Sequence, residues 1–516
     1  MNTPDIPRRV LVAATLLLAL HALLAVASLR QKSTVFDEVT HLPAGLAQVA
    51  TGEVRLNPQH PPLVKLLAGL AANTLEPTLP LEDPSYTEPR EWDFGRLVLY
   101  ERGNDPMALL RRARLPTVGL SVLGGVFVFL WSLRRWGASA AMCSLTLYAC
   151  SPTVLAHARW VTMDAAVATG CVATLYLWWR QRSLACGVAL GLTLAAKFSG
   201  LMLLPAMALA ELAATGPRKE WPRRIRDWAI VLAAASVVLM IVYFDVAGPL
   251  RYGQGLMQLY GDLNPEYSFY LLGEFSREGW PYYFLVALLV KTTLPGLFAM
   301  VGGLARMGRN TWRDDIYLWL PALLWFVVTS WQAANWGVRY VQPLYPLLFV
   351  LAGGLAAWML SHGRELRLLF MLMLVAHASE ALLAYPDYLP YFNQIAGGSR
   401  GGIHWLDGSN LDWGQDLARL PAWMESHDLE QVRLLYFGTG IPAAFGVAVD
   451  PDFTPTDWSG APRPGAYVIS AEYLVRGLYQ AESRDWRSDW LRRYEPVDVL
   501  GGTLYLYRFD DPPPNP

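Results

Sequence analysis

Phe36-Asp37-Glu38-Val39-Thr40-His41 sets two adjacent carboxylates and an imidazole within about one helical turn, and Asn57-Pro58-Gln59-His60-Pro61-Pro62 with Lys65 follows in the same loop. A carboxylate held at a low-dielectric surface can take the proton of an attacking hydroxyl, provided it is positioned within hydrogen-bond reach. Thr34 stands three residues before Asp37 and is placed to cap a helix carrying Asp37, Glu38 and His41, with Asp37 and His41 on one face. The plainer account is that carboxylates in a first helical turn complement the helix dipole and need no chemistry. The His-Pro-Pro turn and Lys65, in a loop abutting lipid, weigh against it.

A second group lies in Leu155–Asp164, LAHARWVTMD, which puts His157, Arg159 and Asp164 at the end of an apolar run. Ionisable groups at membrane depth are costly and usually face a cavity or one another. Asp164 therefore either pairs with Arg159 at the interface or orients a reacting group, whereas His157 reads as a satisfied interfacial histidine. Lys197, Lys291 and Arg339 also stand in apolar surroundings. A phosphate diester carried on a lipid needs fixed cations where water is scarce; snorkelling to the headgroups is the rival account, favoured for Lys291. Asp37, Glu38, His41, His60 and His157 could in principle assemble an oxygen and nitrogen metal site.

The elements that must hold these groups are membrane helices. With 53% hydrophobic residues, 16% charged and 21 Trp in 516 residues, the chain holds far more apolar material than one soluble core needs. Runs near 10–29, 113–133, 138–156, 161–179, 183–197, 199–214, 228–246, 281–304, 315–332, 340–360 and 366–385 predict about eleven spans. The pair 183–197 and 199–214 is short and interrupted by Lys197, as in a broken hairpin. The first run also fits a signal peptide, through Arg8, Arg9 and Ala25-Val26-Ala27; either way residues 30–112 lie outside.

Loops carrying Arg134/Arg135, Arg180/Arg182, Arg218 to Arg226, Arg306 to Arg313 and Arg364/Arg367 alternate with loops poorer in Lys and Arg. That bias predicts a cytoplasmic N-terminus, with the loop 30–112, the connection 247–280 and the tail from about 387 on the outer, periplasmic face. The tail mixes alternating runs, Val432–Phe437, Ala466–Ser470 and Thr503–Tyr507, with a helical pattern over 414–427, predicting a small α/β domain. Its Asp510-Asp511-Pro512-Pro513-Pro514 reads as a frayed end. The aromatic and polar segment 251–284 is a lid or a headgroup-level anchor. No basic run interleaved with aromatics exists, which argues against nucleic acid, and Cys143, Cys150, Cys171 and Cys186 all fall in apolar stretches, so no disulfide framework is implied.

Seven stretches, FDEVTHLPAG from Phe36, LNPQHPPLVK from Leu56, ARWVTMD from Ala158, KFSGL from Lys197, YLLGEFSREGWPYYF from Tyr270, GVRYVQPLYP from Gly337 and SNLDWGQDL from Ser409, resemble the GT-C membrane glycosyltransferases. The likeness is to protein O-mannosyltransferases and bacterial aminoarabinose transferases, glycosyltransferase families 39 and 83. It implies a mainly α, polytopic GT-C fold: a transmembrane catalytic domain over 1–386 and a small extracytoplasmic α/β domain over 387–516. It also implies transfer of a single sugar from a polyprenyl-phosphate carrier to a protein, lipid or glycan hydroxyl on the outer face, normally with inversion.

The family's acidic pair falls on Asp37 and Glu38, with Asp37 as base. Asp164 and His60 would orient acceptor or base, and Lys197, Arg339 and Arg159 would hold the donor phosphate. An inverting transfer needs one base opposite a leaving group, and a departing phosphate needs cations more than an acid. No cofactor is implied, no metal is assigned although a divalent ion is left open, and the expected partners are the lipid-linked donor, membrane lipid and an unidentified acceptor. Protein mannosyltransferases carry other inserted modules, so the tail assigns no acceptor. A transporter or flippase of a lipid-linked sugar is the rival; it would show internal repeats and midplane charges, neither of which is evident. A non-catalytic scaffold is weaker still.

Overall fold

The computed structural model describes residues 6–214, 221–261, 267–307, 312–332, 334–453, 462–479, 491 and 493–510. Parts of the Arg218 to Arg226 and Arg306 to Arg313 runs, the middle of 251–284 and the chain end from Asp511 lie outside the described residues.

Each of the eleven predicted apolar runs holds helix. Five helices are long and apolar enough to cross a bilayer: Arg8–Ala27, Pro106–Trp136, Trp221–Tyr243, Leu344–Ser361 and Arg364–Leu383. The chain is thus built as a multi-pass membrane protein. Local chemistry explains where the other runs break. The run 138–156 stops at Ala149, because Ser151 precedes Pro152, a context that disfavours helix, and Ser151 then caps the short helix Pro152–His157. The run 281–304 divides into Tyr283–Lys291 and Leu294–Ala305 where Thr293 caps the second helix. Lys197 interrupts its run in an extended conformation, between Ser183–Ala196 and a 3-10 turn at Phe198–Met202.

The helices meet through buried polar links and close approaches. His21 bridges the Ala149 carbonyl and Ser121 Oγ, each at 2.9 Å. His377 bridges Thr293 Oγ1 at 2.6 Å and the Leu147 carbonyl at 2.9 Å. A backbone carbonyl freed at a helix end needs such a partner where water is absent.

The polar loop after the first helix carries the helices Glu38–Thr51 and Leu63–Asn73. The predicted cap at Thr34 is not made. Its hydroxyl bonds Tyr100 Oη at 2.6 Å, and the helix begins only at Glu38, whose Oε2 accepts the Val35 N–H at 3.0 Å. A competing side-chain partner has displaced the cap.

Residues beyond 387 contain strands β3 (Arg433–Leu435), β4 (Gly465–Ser470), β5 (Asp498–Leu500) and β6 (Leu504–Phe509), after a small hairpin of β1 (Phe269–Leu271) and β2 (Glu274–Ser276). The larger sheet runs β3-β4-β6-β5; β3 and β4 are parallel, and β6 is antiparallel to both neighbours. Its buried Val468, Leu504 and Leu506 pack on Leu417, Leu420 and Trp423. The helix expected over 414–427 shortens to Leu420–Ser426.

This region is laced into the N-terminal loop rather than appended to it. The Ser33 and Phe36 N–H groups donate to the carbonyls of Gln415 and Trp413, both at 2.9 Å. Lys32, fully buried, donates to Asp387 at 2.5 Å and Asp416 at 2.6 Å. A buried cation needs such partners because losing one leaves uncompensated charge. Asp416→Ala is expected to destabilise the protein by about 3 kcal/mol, read as a lowered thermal midpoint in detergent, whereas Glu88→Ala on the exposed surface leaves it unchanged.

Candidate functional site

Asp37, Asp164, Lys197 and Arg339 form one chain of alternating charge. Arg339 Nη1 lies 3.0 Å from Asp37 Oδ2 and 3.9 Å from Asp164 Oδ2, and Lys197 Nζ donates to Asp164 Oδ1 at 2.6 Å. Aromatic faces hold both cations: Arg339 sits 4.4 Å from the Trp413 ring centre and Lys197 4.5 Å from that of Tyr340. Such stacking suits a weakly hydrated guanidinium and limits its rotamers.

Each member is delivered by an irregular end of an element. Asp37 stands at the N-cap position of Glu38–Thr51, yet its side chain caps nothing. Asp164 opens the helix Asp164–Trp179, and Lys197 occupies the break described above. Arg339 lies in the 3-10 turn Val338–Val341, fixed from the C-terminal region: Asn410 Oδ1 accepts the Val338 N–H at 2.8 Å, and Ser409 Oγ donates to the Trp336 carbonyl at 2.5 Å. Gly337, at φ +106°, permits that approach, since a Cβ there would lie 2.5 Å from Ser409 Oγ.

The acidic pair divides sharply. Glu38 is fully buried and saturated; Arg114 donates to it at 2.8 and 2.6 Å, and the Val35 and Val161 N–H groups donate at 3.0 Å each. The Asp37 side chain keeps 20% of its surface exposed and carries the single ion pair with Arg339. Asp37 thus has lone pairs free for a further partner, and Glu38 has none.

His60 comes close to this group. Its ring is 5.0 Å from that of His41, and its buried Nδ1 has no hydrogen-bond partner among the described residues. Burial, reinforced by the nearby cations of Lys65, Lys197 and Arg339, holds His60 well below the usual histidine range, so it is neutral. Lys65 is buried and locks the turn, donating to the carbonyls of Asn57 at 2.5 Å and His60 at 2.8 Å.

Two predicted cations are engaged elsewhere. Arg159 does not pair with Asp164; Nη1 donates to the carbonyls of Ser28 and Pro386 at 3.1 Å, and the guanidinium packs on Trp160 and Tyr388. Lys291 gives its ammonium to the carbonyls of Leu389, Tyr391 and Asn410 at 2.7, 2.5 and 2.6 Å. His157, read as satisfied, has neither ring nitrogen hydrogen-bonded among the described residues; Thr162 Oγ1 and Gln342 Oε1 are likewise buried and unpartnered. No three His, Cys, Asp or Glu side chains among the described residues are grouped to hold a metal, so the set from Asp37 to His157 does not assemble one.

Sequence reasoning missed Trp413 and Tyr340 as the faces under the cations, and Arg114 as the partner of Glu38. Arg114 carried a signal: it is the last of four arginines before an apolar span, on the side predicted to be poor in basic residues.

Neither protein-family models nor curated protein sequences match the chain. Solved structures do. ArnT from Cupriavidus metallidurans in the apo state superposes with a TM-score of 0.53 at 16% identity, over 95% of this chain and 97% of that one. The fold is GT-C. ArnT bound to undecaprenyl phosphate gives 0.46 at 15% identity over 95% and 97% of the two chains. The oligosaccharyltransferase AglB from Archaeoglobus fulgidus, in complex with an inhibitory peptide and a dolichol-phosphate, gives 0.47 at 12% over 96% and 74%. With the GT-C fold, the four-member charge chain lies at the junction of the first polar loop with the helix bundle.

Glu38→Ala leaves Arg114 buried and unpaired and is expected to cost about 3–5 kcal/mol, while Asp37→Asn, which touches a partly exposed pair, changes stability by less than about 1 kcal/mol; thermal unfolding of both variants separates them. Burial pushes Asp412 up to about 7, against about 3.9 in an unfolded chain. A raised carboxylate contributes most below the unfolded value and loses that contribution as pH rises through the folded one. Between pH 4 and 8 the thermal midpoint of the wild type is therefore expected to fall relative to that of Asp412→Asn.

Proposed function

We propose that this protein transfers a single sugar from a polyprenyl-phosphate carrier to an acceptor hydroxyl at the outer face of a bacterial-type inner membrane, with inversion at the anomeric carbon. The observation that carries the reading is the chain Asp37–Arg339–Asp164–Lys197 at the boundary of loop and helices. In this reading the acceptor O–H gives its proton to the Asp37 carboxylate as its oxygen bonds the anomeric carbon. The bond from that carbon to the phosphate oxygen breaks, and its electron pair leaves with the phosphate, whose charge Arg339 and Lys197 stabilise.

The resting geometry supports a coupling between donor and base. Arg339 neutralises Asp37 at 3.0 Å; a donor phosphate competing for the same guanidinium would loosen that pair and leave Asp37 free to accept a proton. Asp164 keeps Lys197 and Arg339 in place. Glu38, with its acceptor capacity filled by Arg114 and two backbone N–H groups, positions Asp37 rather than sharing its role. Neutral His60, with the His157 ring nitrogens and Gln342 Oε1 that have no partner among the described residues, are buried polar groups suited to a polyhydroxylated substrate, because leaving each unmet costs about 1–3 kcal/mol. Residues 387–516 form an outer-face region whose motif Ser409–Leu417 completes the catalytic unit, and the N-terminus is cytoplasmic.

The decisive measurement is transfer from a panel of radiolabelled polyprenyl-phosphate sugars by the full chain in nanodiscs. Asp37→Asn is expected to lose about 100- to 10,000-fold in rate with donor binding kept, and Arg339→Gln to weaken donor binding. Undiminished transfer by Asp37→Asn would return that carboxylate to a structural role. Movement of labelled lipid-linked sugar across the membrane, with no transfer to any supplied acceptor, would favour the transporter.

A further inference from the structure

A groove of about 530 Å³ lies between the end of the helix Arg8–Ala27 and the helix Pro106–Ala113, whose last turn carries Arg111 and Arg112, apart from the charge chain. Arg30, Arg111 and Arg112 form its polar side, and Val26, Leu75 and Leu115 are among its apolar lining. All three arginines are exposed, and none makes an ion pair among the described residues; Arg111 donates from Nε to the Met107 carbonyl of its own helix at 3.0 Å. Nearby Asp105 makes no ion pair with them among the described residues; its Oδ1 accepts the N–H groups of Met107 and Ala108 as a helix cap.

Three unpaired guanidiniums on one groove repel one another and lose entropy if they converge, so their arrangement calls for an anion. The apolar side narrows the chemistry. Leu23, Leu20 and Leu16 continue the exposed wall along the helix Arg8–Ala27, away from the arginines and toward the hydrocarbon. A ligand matching both halves carries a negative headgroup at one end and long apolar chains at the other. Phosphate suits the head, since guanidiniums form short, bidentate, charge-assisted bonds to it, and juxtamembrane cations attract anionic lipid. The groove volume falls within the usual range of small-molecule sites.

We propose that this groove binds an anionic diacyl phospholipid, with its phosphate held by Arg30, Arg111 and Arg112 and its acyl chains along the exposed leucines of the first helix. The site stands independently of the transfer reading. It adjoins a segment that matters to the rest of the molecule: Arg30 is two residues from the buried Lys32, and Arg112 two from Arg114, which donates to the Lys32 and Ser33 carbonyls at 3.1 and 2.7 Å.

The test is native mass spectrometry of the full chain in a neutral detergent, titrated separately with dioctanoyl phosphatidylglycerol, dioctanoyl phosphatidylcholine and inorganic phosphate. Phosphatidylglycerol is expected to be retained about tenfold more strongly than phosphatidylcholine, a difference of about 1.4 kcal/mol, and phosphate alone to leave no adduct. The triple variant Arg30→Gln, Arg111→Gln, Arg112→Gln should lose the preference, and the corresponding triple Lys variant should keep part of it. Gel filtration and thermal midpoints check that both variants fold, as substitutions at exposed unpaired arginines should allow. Equal retention of the two lipids by the wild type, undiminished phosphatidylglycerol binding by the Gln variant, or an adduct with phosphate alone would each overturn the proposal.

Discussion

The Glu38–Arg114 pair governs the geometry around it, because two charges without solvent exposure must be satisfied completely or not formed at all. Glu38 accepts from Arg114, Val35 and Val161, and Arg114 also donates to the carbonyls of Lys32 and Ser33. Five stretches, at residues 32–33, 35, 38, 114 and 161, are thereby tied to one point. That knot sets where the helix Glu38–Thr51 begins, and so where Asp37 projects. It equally fixes Val161, three residues before Asp164. The two carboxylates on either side of Arg339 are positioned by the same buried carboxylate.

The C-terminal region supplies the complementary constraint. Trp413 presents its carbonyl to Phe36 and its ring to Arg339, while Asn410 and Ser409 hold the backbone on either side of Gly337. One short motif thus steadies both partners of the Asp37–Arg339 contact. Asp416 adds a buried link to Lys32 on the same clasp. These contacts explain why a stretch so far along the chain belongs with the N-terminal loop, although composition suggests a separate outer domain.

What could be seen in the sequence follows physical cost. Asp164, Lys197 and Arg339 stand out because a charge in an apolar run is expensive and needs a reason, and the structure joins all three with Asp37. The helix runs are legible from apolar length and the break at Lys197 from its charge, whereas the breaks at Ser151-Pro152 and Thr293 divide runs that the sequence reads as continuous. Cost does not reveal the partner, however. Arg159 and Lys291 also stand in apolar surroundings, yet the Lys291 ammonium and Arg159 Nη1 are held by backbone carbonyls, while Arg159 Nε and Nη2 are buried with no partner among the described residues. Neighbouring Asp37 and Glu38 differ only in what folds against them, which no local pattern encodes. The cap expected at Thr34 failed for the same reason, since its partner Tyr100 lies 66 positions away.

The charge chain is balanced as it stands, with two carboxylates against two cations, and this balance shapes how an anionic substrate would enter. A phosphate adds negative charge to a neutral set, so it can gain only by taking a share of a cation already in use. Lys197 is held tightly at 2.6 Å, by an Asp164 that is itself almost without exposure. Arg339 is shared between a carboxylate at 3.0 Å and one at 3.9 Å, and its Asp37 partner retains contact with solvent. Solvent can stabilise Asp37 as the guanidinium turns away, but cannot do so for Asp164. The yielding contact is therefore Asp37–Arg339, so in the proposed reaction the anion that recruits the guanidinium also unmasks the base. In that proposed exchange Trp413, its ring centre 4.4 Å from the guanidinium, would give the cation an aromatic face to rest on as it turns.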